Sequence, residues 1–285
     1  MTNTTSTPKT STKIWFITGI SSGLGQALAE AVMAEGEFVI GTLRQQQQVD
    51  EFNAANAGRG LAVRLDITQP EQVAKVTHDV MAQFDQLDVL VNNAGIGFAG
   101  AIEEATQAET LDVFNANFFG TLAVTQAFLP LLRGQKRGHI IQISSHGGLK
   151  AFAGFGIYNA SKFALEGASE ALAAEVAPFG IQVTLVEPGP FRTDFAGRSF
   201  RQAAAVIDEY ATTAGAFRAR MQQVNGQQEG DPQKAAQAII GLSRQTNPPL
   251  RLPLCKVAIG TILSKLTSVQ QDLDAGRATA EETVF

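Results

Sequence analysis

Short apolar runs recur along the chain, and longer stretches with helical spacing separate them. Ile14-Trp15-Phe16-Ile17 comes first, then Phe38-Val39-Ile40 and Leu61-Ala62-Val63. Val89-Leu90-Val91, Ile140-Ile141-Gln142-Ile143 and Val183-Thr184-Leu185-Val186 follow. The helical period predicts helices at about 70–84, 108–132 and 158–177. Strands that alternate with helices pair in parallel through right-handed crossovers. Each run is apolar at nearly every position, so the sheet is covered on both faces. The pattern predicts an α/β fold: a doubly wound parallel sheet of about seven strands, flanked by helices on both faces. Its ligand crevice lies at the carboxyl ends of the strands, where the strand order reverses.

Beyond Val186 the pattern weakens. Residues 194–230 are rich in Ala, Arg, Gln and Phe and show no clear strand. Asp231-Pro232 opens a further helix, with Asp as its cap and Pro in its first turn. Leu250 to Val257 reads as a last strand, and a long tail follows after about 258. Gln45-Gln46-Gln47-Gln48 reads as a solvated loop. No linker and no repeat of solenoid length divides the chain, so residues 13–285 read as a single domain, with 190–230 as a substrate loop or lid. Residues 1–12, rich in Thr and Ser, read as a disordered tail. They lack the apolar run of a secretory signal and the Arg content of a transit peptide, and no stretch has the length and apolarity of a membrane span.

Hydrophobic residues at 45% and charged residues at 17% exclude a disordered or fibrous chain. A formal net charge of −5 speaks against nucleic acid or an anionic membrane as partner, and leaves room for a local basic pocket. The lone cysteine, Cys255, excludes an intrachain disulfide and fits a cytoplasmic setting. With no His near it in sequence, it reads as a buried packing residue rather than a nucleophile.

The turn after the first run reads Thr18-Gly19-Ile20-Ser21-Ser22-Gly23-Leu24-Gly25, between a strand and a helix. Glycines let the backbone turn tightly and approach a diphosphate closely. The helix behind them offers unpaired N–H groups and a partial positive charge. A glycine cluster alone is weak evidence; the strand-turn-helix context is what strengthens it.

The spacing is T-G-x-x-x-G-x-G, not the G-x-G-x-x-G of long-chain dehydrogenases. Asn92-Asn93-Ala94-Gly95 ends the fourth run, and Tyr158-Asn159-Ala160-Ser161-Lys162 opens the helix after the fifth. Pro188-Gly189 follows the sixth, with Thr193 four residues on. This ordered set resembles the short-chain dehydrogenase/reductase family in its single-domain branch, over about residues 13–195 and more loosely to about 257. The resemblance implies a Rossmann-type fold and a nicotinamide dinucleotide held by Gly19, Ser21, Ser22, Gly23, Leu24 and Gly25. It implies that Asp66, with Ile67 beside it, receives the adenine amino group; a turn-forming Asp with Thr68 as a helix cap is the alternative. Asn93, Ala94 and Gly95 pass near the cofactor ribose, with Asn93 tying the fourth strand to its neighbours. Pro188, Gly189 and Thr193 shape the carboxamide pocket; a proline-fixed loop with a helix cap is the other reading.

The end of the second run carries Gly41-Thr42-Leu43-Arg44, with no acid before Asp50. An acid there would bind the ribose 2′-hydroxyl of NAD. Arg44 instead matches a 2′-phosphate. NADP(H) is therefore favoured, NAD(H) stays possible, and a solvated surface Arg is the bland alternative.

Tyr158 and Lys162 are four apart on a helix and share one face. A phenol ionises at about 10, and a nearby ammonium lowers that value toward the range that acid–base transfer needs. By resemblance, Lys162 also binds the nicotinamide ribose. Ser145, thirteen residues before Tyr158 as in the family, is expected to stabilise the substrate oxygen, with its neighbour Ser144, facing the other way, as the rival. The resemblance further implies that Asn117, three before Gly120, holds a water that links Lys162 to solvent; Asn115 is its rival. The bound dinucleotide exchanges a hydride with the substrate carbon while Tyr158 exchanges the proton. The three His residues, His78 on a surface helix, His139 before a strand and His146 after Ser145, show no metal-ligand spacing.

Leu149, Phe152 and Phe155 in 146–157, and Phe191, Phe195, Phe200 and Phe217 in 190–230, suggest an apolar pocket. A hydrophobic ketone or secondary alcohol, steroid- or retinoid-like, is the expected substrate; core or dimer contacts are the alternative use of these rings. The helices at 108–132 and 158–177 are the expected faces of a homodimer or homotetramer. Two further functions stay open: a non-catalytic dinucleotide-binding sensor, which usually lacks the Tyr or Lys, and an epimerase or dehydratase of the extended branch, whose glycine spacing differs.

Overall fold

All six apolar runs form strands. In this computed structural model, which describes residues 12–197 and 199–285, they are joined by others in the order that follows. Strand β1 (Ile14–Ile17) leads to α1 (Gly23–Ala34), β2 (Phe38–Leu43), α2 (Gln46–Ala55), β3 (Gly60–Arg64) and α3 (Pro70–Gln83). Then come β4 (Val89–Asn92), β5 (Gly97–Ala99), α4 (Gln107–Phe114), α5 (Gly120–Gln135), β6 (Gly138–Ile143) and α6 (Gly156–Val176). The last third holds β7 (Ile181–Pro188), β8 (Phe200–Gln202), α7 (Ala216–Gln223), α8 (Pro232–Leu242), β9 (Arg251–Leu254) and α9 (Lys256–Glu281). Seven strands form one parallel sheet in the order β3-β2-β1-β4-β6-β7-β9. The order reverses between β1 and β4, which sets the crevice.

Alternation along β1 shows how the two faces fill. Trp15 and Ile17 pack with Leu28 and Val32 of α1 and Ile239 of α8. Phe16 points the other way, against Phe128 of α5 at 4.7 Å between ring centres, with Ile140 and Val183 alongside. Trp15, Phe16 and Phe128 have no exposed surface, and each such burial contributes about 1.5–3 kcal/mol. Asp231 caps α8 as expected, accepting from the N–H groups of Gln233 and Lys234, with Pro232 in the first turn.

Several expectations need correction. The glutamine patch is not a loop: Gln46, Gln47 and Gln48 lie in α2, where Gln46 bonds Asp50 and Gln47 bonds Glu51 one turn on. Gln is a good helix former, and Val49 supplies the buried anchor. The last strand ends at Leu254, because Cys255 has a positive φ of 74° and turns the chain into α9. That long helix replaces the expected tail. The helix expected at 108–132 is present from Gln107 to Gln135, widened by one turn over Asn115–Phe119. Residues 194–230 do hold a strand, β8, paired parallel to β5. Thr68 is not a helix cap; Gln69 takes that position, and Thr68 donates to Asp66 instead. Cys255 is half-buried, and His139 lies within β6. The tail assigned to residues 1–12 falls, but for its last residue, outside the described residues. Among the described residues, no helix is long and apolar enough to cross a membrane.

Candidate active site

A cavity of about 890 Å³ opens at the carboxyl ends of the strands. Every residue singled out for the cofactor except Gly25 lines it, and so do Ser145, Tyr158 and Lys162. Asn117 does not.

The floor of the cavity is built from β1, α1 and β4. Thr18 follows β1, its hydroxyl accepting from the N–H groups of Asn93 and Ala94, at 2.9 and 3.0 Å. The Asn93 amide donates to the carbonyls of Thr18 and Gly19, both at 2.9 Å. The turn is thus stitched to the loop after β4. Gly19 and Gly23 have φ of 72° and 61°, a region that favours glycine. A Cβ on Gly25 would collide with the Asn93 amide and the Gly19 carbonyl, so Gly25 serves close packing behind the turn. Ser22 caps α1 with extended backbone and makes no side-chain capping bond. The first turn of α1 is left facing the cavity without a protein cap, as an anion-binding turn requires. These features fit a dinucleotide diphosphate.

Arg44 follows β2. Its guanidinium is exposed at the cavity wall and has no hydrogen-bond or ion-pair partner among the described residues. Thr42, which sequence reasoning passed over, accepts from the Gly19 N–H at 3.0 Å. A polar residue in an otherwise apolar strand was the available signal. Asp66 accepts from both the N–H and the hydroxyl of Thr68 and borders the same wall.

On the other side stand β6 and α6. Tyr158 is only 4% exposed. Its ring stacks on Phe155 at 4.2 Å and meets Phe195 edge-on at 5.7 Å. Burial pushes the Tyr158 phenol up to about 12, against the downward pull of a hydrogen bond with Ser145. Lys162 is likewise buried, and its Nζ donates to the Ile143 carbonyl at 2.8 Å, 6.0 Å from the Tyr158 ring centre. Burial brings the Lys162 ammonium down to about 8, against the upward pull of Glu166. The expected lowering of the phenol by the ammonium is not found here: desolvation dominates, and the one pull against it comes from Ser145.

Ser145 lies two residues beyond β6, and its Oγ accepts from the Gly147 N–H at 3.0 Å. Asn159 pins this loop, donating to the Gly147 carbonyl and accepting from the Phe152 N–H. Asn117 sits in the wide turn, fully buried. Its amide donates to the Ile96 carbonyl and the Ser161 hydroxyl and accepts from the Ile96 N–H. Thr193 packs over Gly23, and Cys255 packs over Gly189.

The roof comes from α7 and α9. Phe217, Arg220, Met221 and Val224 share one face of α7 and line the cavity, as do Val257 and Thr261. Phe152, Phe155, Phe191 and Phe195 join them, whereas Leu149 and Phe200 lie outside the lining. His146 bonds the Thr261 hydroxyl at 3.2 Å. His139 is buried against Thr184, with burial holding its imidazole down to about 4.

The chain is similar to known proteins over most of its length. The short chain dehydrogenase family model matches residues 13–204. Oxidoreductase BOA17 of Botryotinia fuckeliana (strain B05.10) is 40% identical over 242 residues, 85% of this chain and 88% of that protein. The 3-ketodihydrosphingosine reductase of Bacteroides thetaiotaomicron is 37% identical, over 84% of this chain and 86% of that protein. The crystal structure of a short-chain dehydrogenase from Streptomyces avermitilis superposes with a TM-score of 0.90 at 43% identity, covering 96% of this chain and all of that one.

Proposed function

The chain belongs to the short-chain dehydrogenase family, and on that premise we propose that it exchanges a hydride between NADP(H) and an apolar ketone or secondary alcohol, with Tyr158 moving the proton. The observation that carries this reading is the convergence of Tyr158, Lys162 and Ser145 on the cavity that the glycine turn also lines. When bound, the nicotinamide supplies or takes up the hydride. The chain's own residues do the rest.

The glycine turn and the open end of α1 hold the diphosphate. Asp66 and Ile67 border the adenine, and Asn93, Ala94 and Gly95 the ribose side. Lys162 binds the second ribose, and Pro188, Gly189 and Thr193 bound the carboxamide. A phenol held near 12 stays protonated at neutral pH, so Tyr158 is ready as the acid for reduction. Ser145 Oγ accepts from Gly147 and bonds Tyr158, so a substrate oxygen seated beside the two hydroxyls can take the Ser145 hydrogen in place of the phenol. Asn117 acts as a positioning residue, since both of its amide hydrogens are used in joining the loop after β4 to α6.

Residues 190–230 serve as the lid, and their aromatic lining suits a hydrophobic substrate; one relative is a 3-ketodihydrosphingosine reductase. The decisive assay follows reduced-nicotinamide absorbance with a panel of apolar ketones and both cofactors. A protein that binds the dinucleotide yet turns over none of them would be a sensor instead.

The cofactor preference rests on Arg44. An Arg44→Ala variant should weaken NADPH binding about tenfold or more, the worth of a charge-assisted hydrogen bond, and leave NADH binding nearly unchanged. Equal losses in titration of the two cofactors would remove the phosphate role. Two copies pair, in this reading, through the helices around 108–132 and 158–177, where Leu111, Phe119 and Phe163 are 48%, 50% and 41% exposed. Phe163→Lys should shift the assembly toward monomer in sedimentation; a native monomer would reject the pairing.

A further inference from the structure

Behind Lys162 lies a group of charges that the proposed reaction does not use. Glu166, one turn further along α6, is 4% exposed, and Glu187, next to the Pro188-Gly189 turn, is 1% exposed. Both carboxylates approach the same nitrogen: Arg251 Nε of β9 lies 3.2 Å from Glu166 and 3.4 Å from Glu187. The terminal nitrogen of Arg251 turns outward to Glu170, at 2.5 Å. Glu166 Oε1 and Glu187 Oε1 are both buried without a hydrogen-bond partner, but the other oxygen of Glu166 accepts from Arg251 Nε.

We propose that Glu187 is a proton-holding positioning residue: it keeps a proton beside ionised Glu166 and so sets the charge felt by Lys162. One N–H cannot satisfy two buried anions, and two carboxylates sharing a site cannot both ionise without large cost. Glu166 is the better placed to stay charged. It has the closer contact to Arg251, whose Nε–H donates to it, and the field of Lys162. The charged groups acting on Glu187 are Glu166 from α6 and Arg251 from β9, with Glu170 drawing the guanidinium away. Burial, and then Glu166, push the Glu187 carboxyl up to about 8, in agreement with the geometry.

The sign of the coupling is fixed. As pH rises, Glu187 releases its proton and adds a negative charge behind Glu166. That charge helps Lys162 keep its own proton to higher pH. A Glu187→Gln variant stays neutral throughout and gives no such help.

This inference rests on the assignment of Lys162 and Tyr158 above, so its test has one arm that does not. Infrared difference spectra of the protein without cofactor, wild type minus Glu187→Gln, should show the carbonyl stretch of a protonated carboxylic acid at neutral pH. In Glu166→Gln the titration midpoint of that band should fall, because the like charge is gone. In the second arm, the high-pH limb of kcat/KM should move to lower pH in Glu187→Gln by about 0.5 unit or more. Absence of the band overturns the proposal. So does an unmoved limb, even if the variant melts at a lower temperature, since that is the mark of a merely structural residue. Failure of the redox reading would show differently: the band would persist while no ketone was turned over.

Discussion

Tyr158→Phe is expected to lower turnover about 10²–10⁴-fold, the range that a positioned acid or base contributes. The substitution removes one oxygen and little else. The ring that remains can still stack on Phe155 at 4.2 Å and meet Phe195 edge-on, so the aromatic packing survives. The lost hydroxyl had burial against it and Ser145 as its partner, so the melting temperature should hardly change. Dinucleotide binding should also persist, because the glycine turn, Arg44 and Lys162 are untouched. A loss confined to kcat at saturating cofactor and substrate is the expected signature of a group that acts in the transition state. Full turnover in this variant would end the proposed chemistry.

The pH dependence follows from the same two groups. A phenol raised to about 12 keeps its proton throughout the neutral range and loses it only far above. Lys162, lowered to about 8, gives up its charge first as pH rises. In the reductive direction the high-pH limb should therefore report the ammonium rather than the phenol. Were the limb instead absent to pH 10 or so, the buried lysine would not be coupled to the reaction.

Much of this arrangement was legible in the sequence because it is local. Six strands could be read because a sheet covered on both faces leaves uninterrupted apolar runs. The glycine turn and the Tyr158–Lys162 pair are likewise written within a few residues. What escaped is long-range or rests on weak local signals. Helix α2 begins in a glutamine run whose polarity resembles a loop, although its propensity is helical. Helix α9 was hidden because Val257 looked like the continuation of β9, while the break at Cys255 depends on a backbone angle that no local pattern announces. Strands β5 and β8 are three residues each and exist only through one another. The ion pairs that brace the site join residues 114 and 85 positions apart. Nothing in the flanking sequence of Glu104 or Glu166 names its partner.

The first of those pairs leads to the largest expected effect on stability. Glu104 is fully buried between β5 and α4, and its carboxylate serves three segments at once. It accepts from Arg218 of α7 at 2.5 and 3.2 Å, from the Ala101 N–H at 2.7 Å and from the Ile207 N–H at 3.0 Å. It therefore fastens the roof helix to the body, while the neighbouring face of α7, with Val224 at its end, carries Phe217 and Met221 into the cavity. Arg218→Met strands the carboxylate, and breaking a buried pair from one side costs about 3–5 kcal/mol. The melting temperature should drop on the order of 10 °C. KM should rise, because the apolar roof is no longer held in register. Adding Glu104→Met should recover much of the stability, since a well-packed apolar pair often replaces a buried ion pair at little cost. Acid provides an independent check. The Arg218 guanidinium holds the Glu104 carboxyl down to about 2, below its ordinary 4.5. A depressed carboxyl contributes its full stabilisation above 4.5 and loses it as pH falls through about 2. Without Arg218 that acid transition should begin at higher pH. A variant that melts like the wild type and loosens at the same pH would show that the roof is held by its aromatic contacts alone.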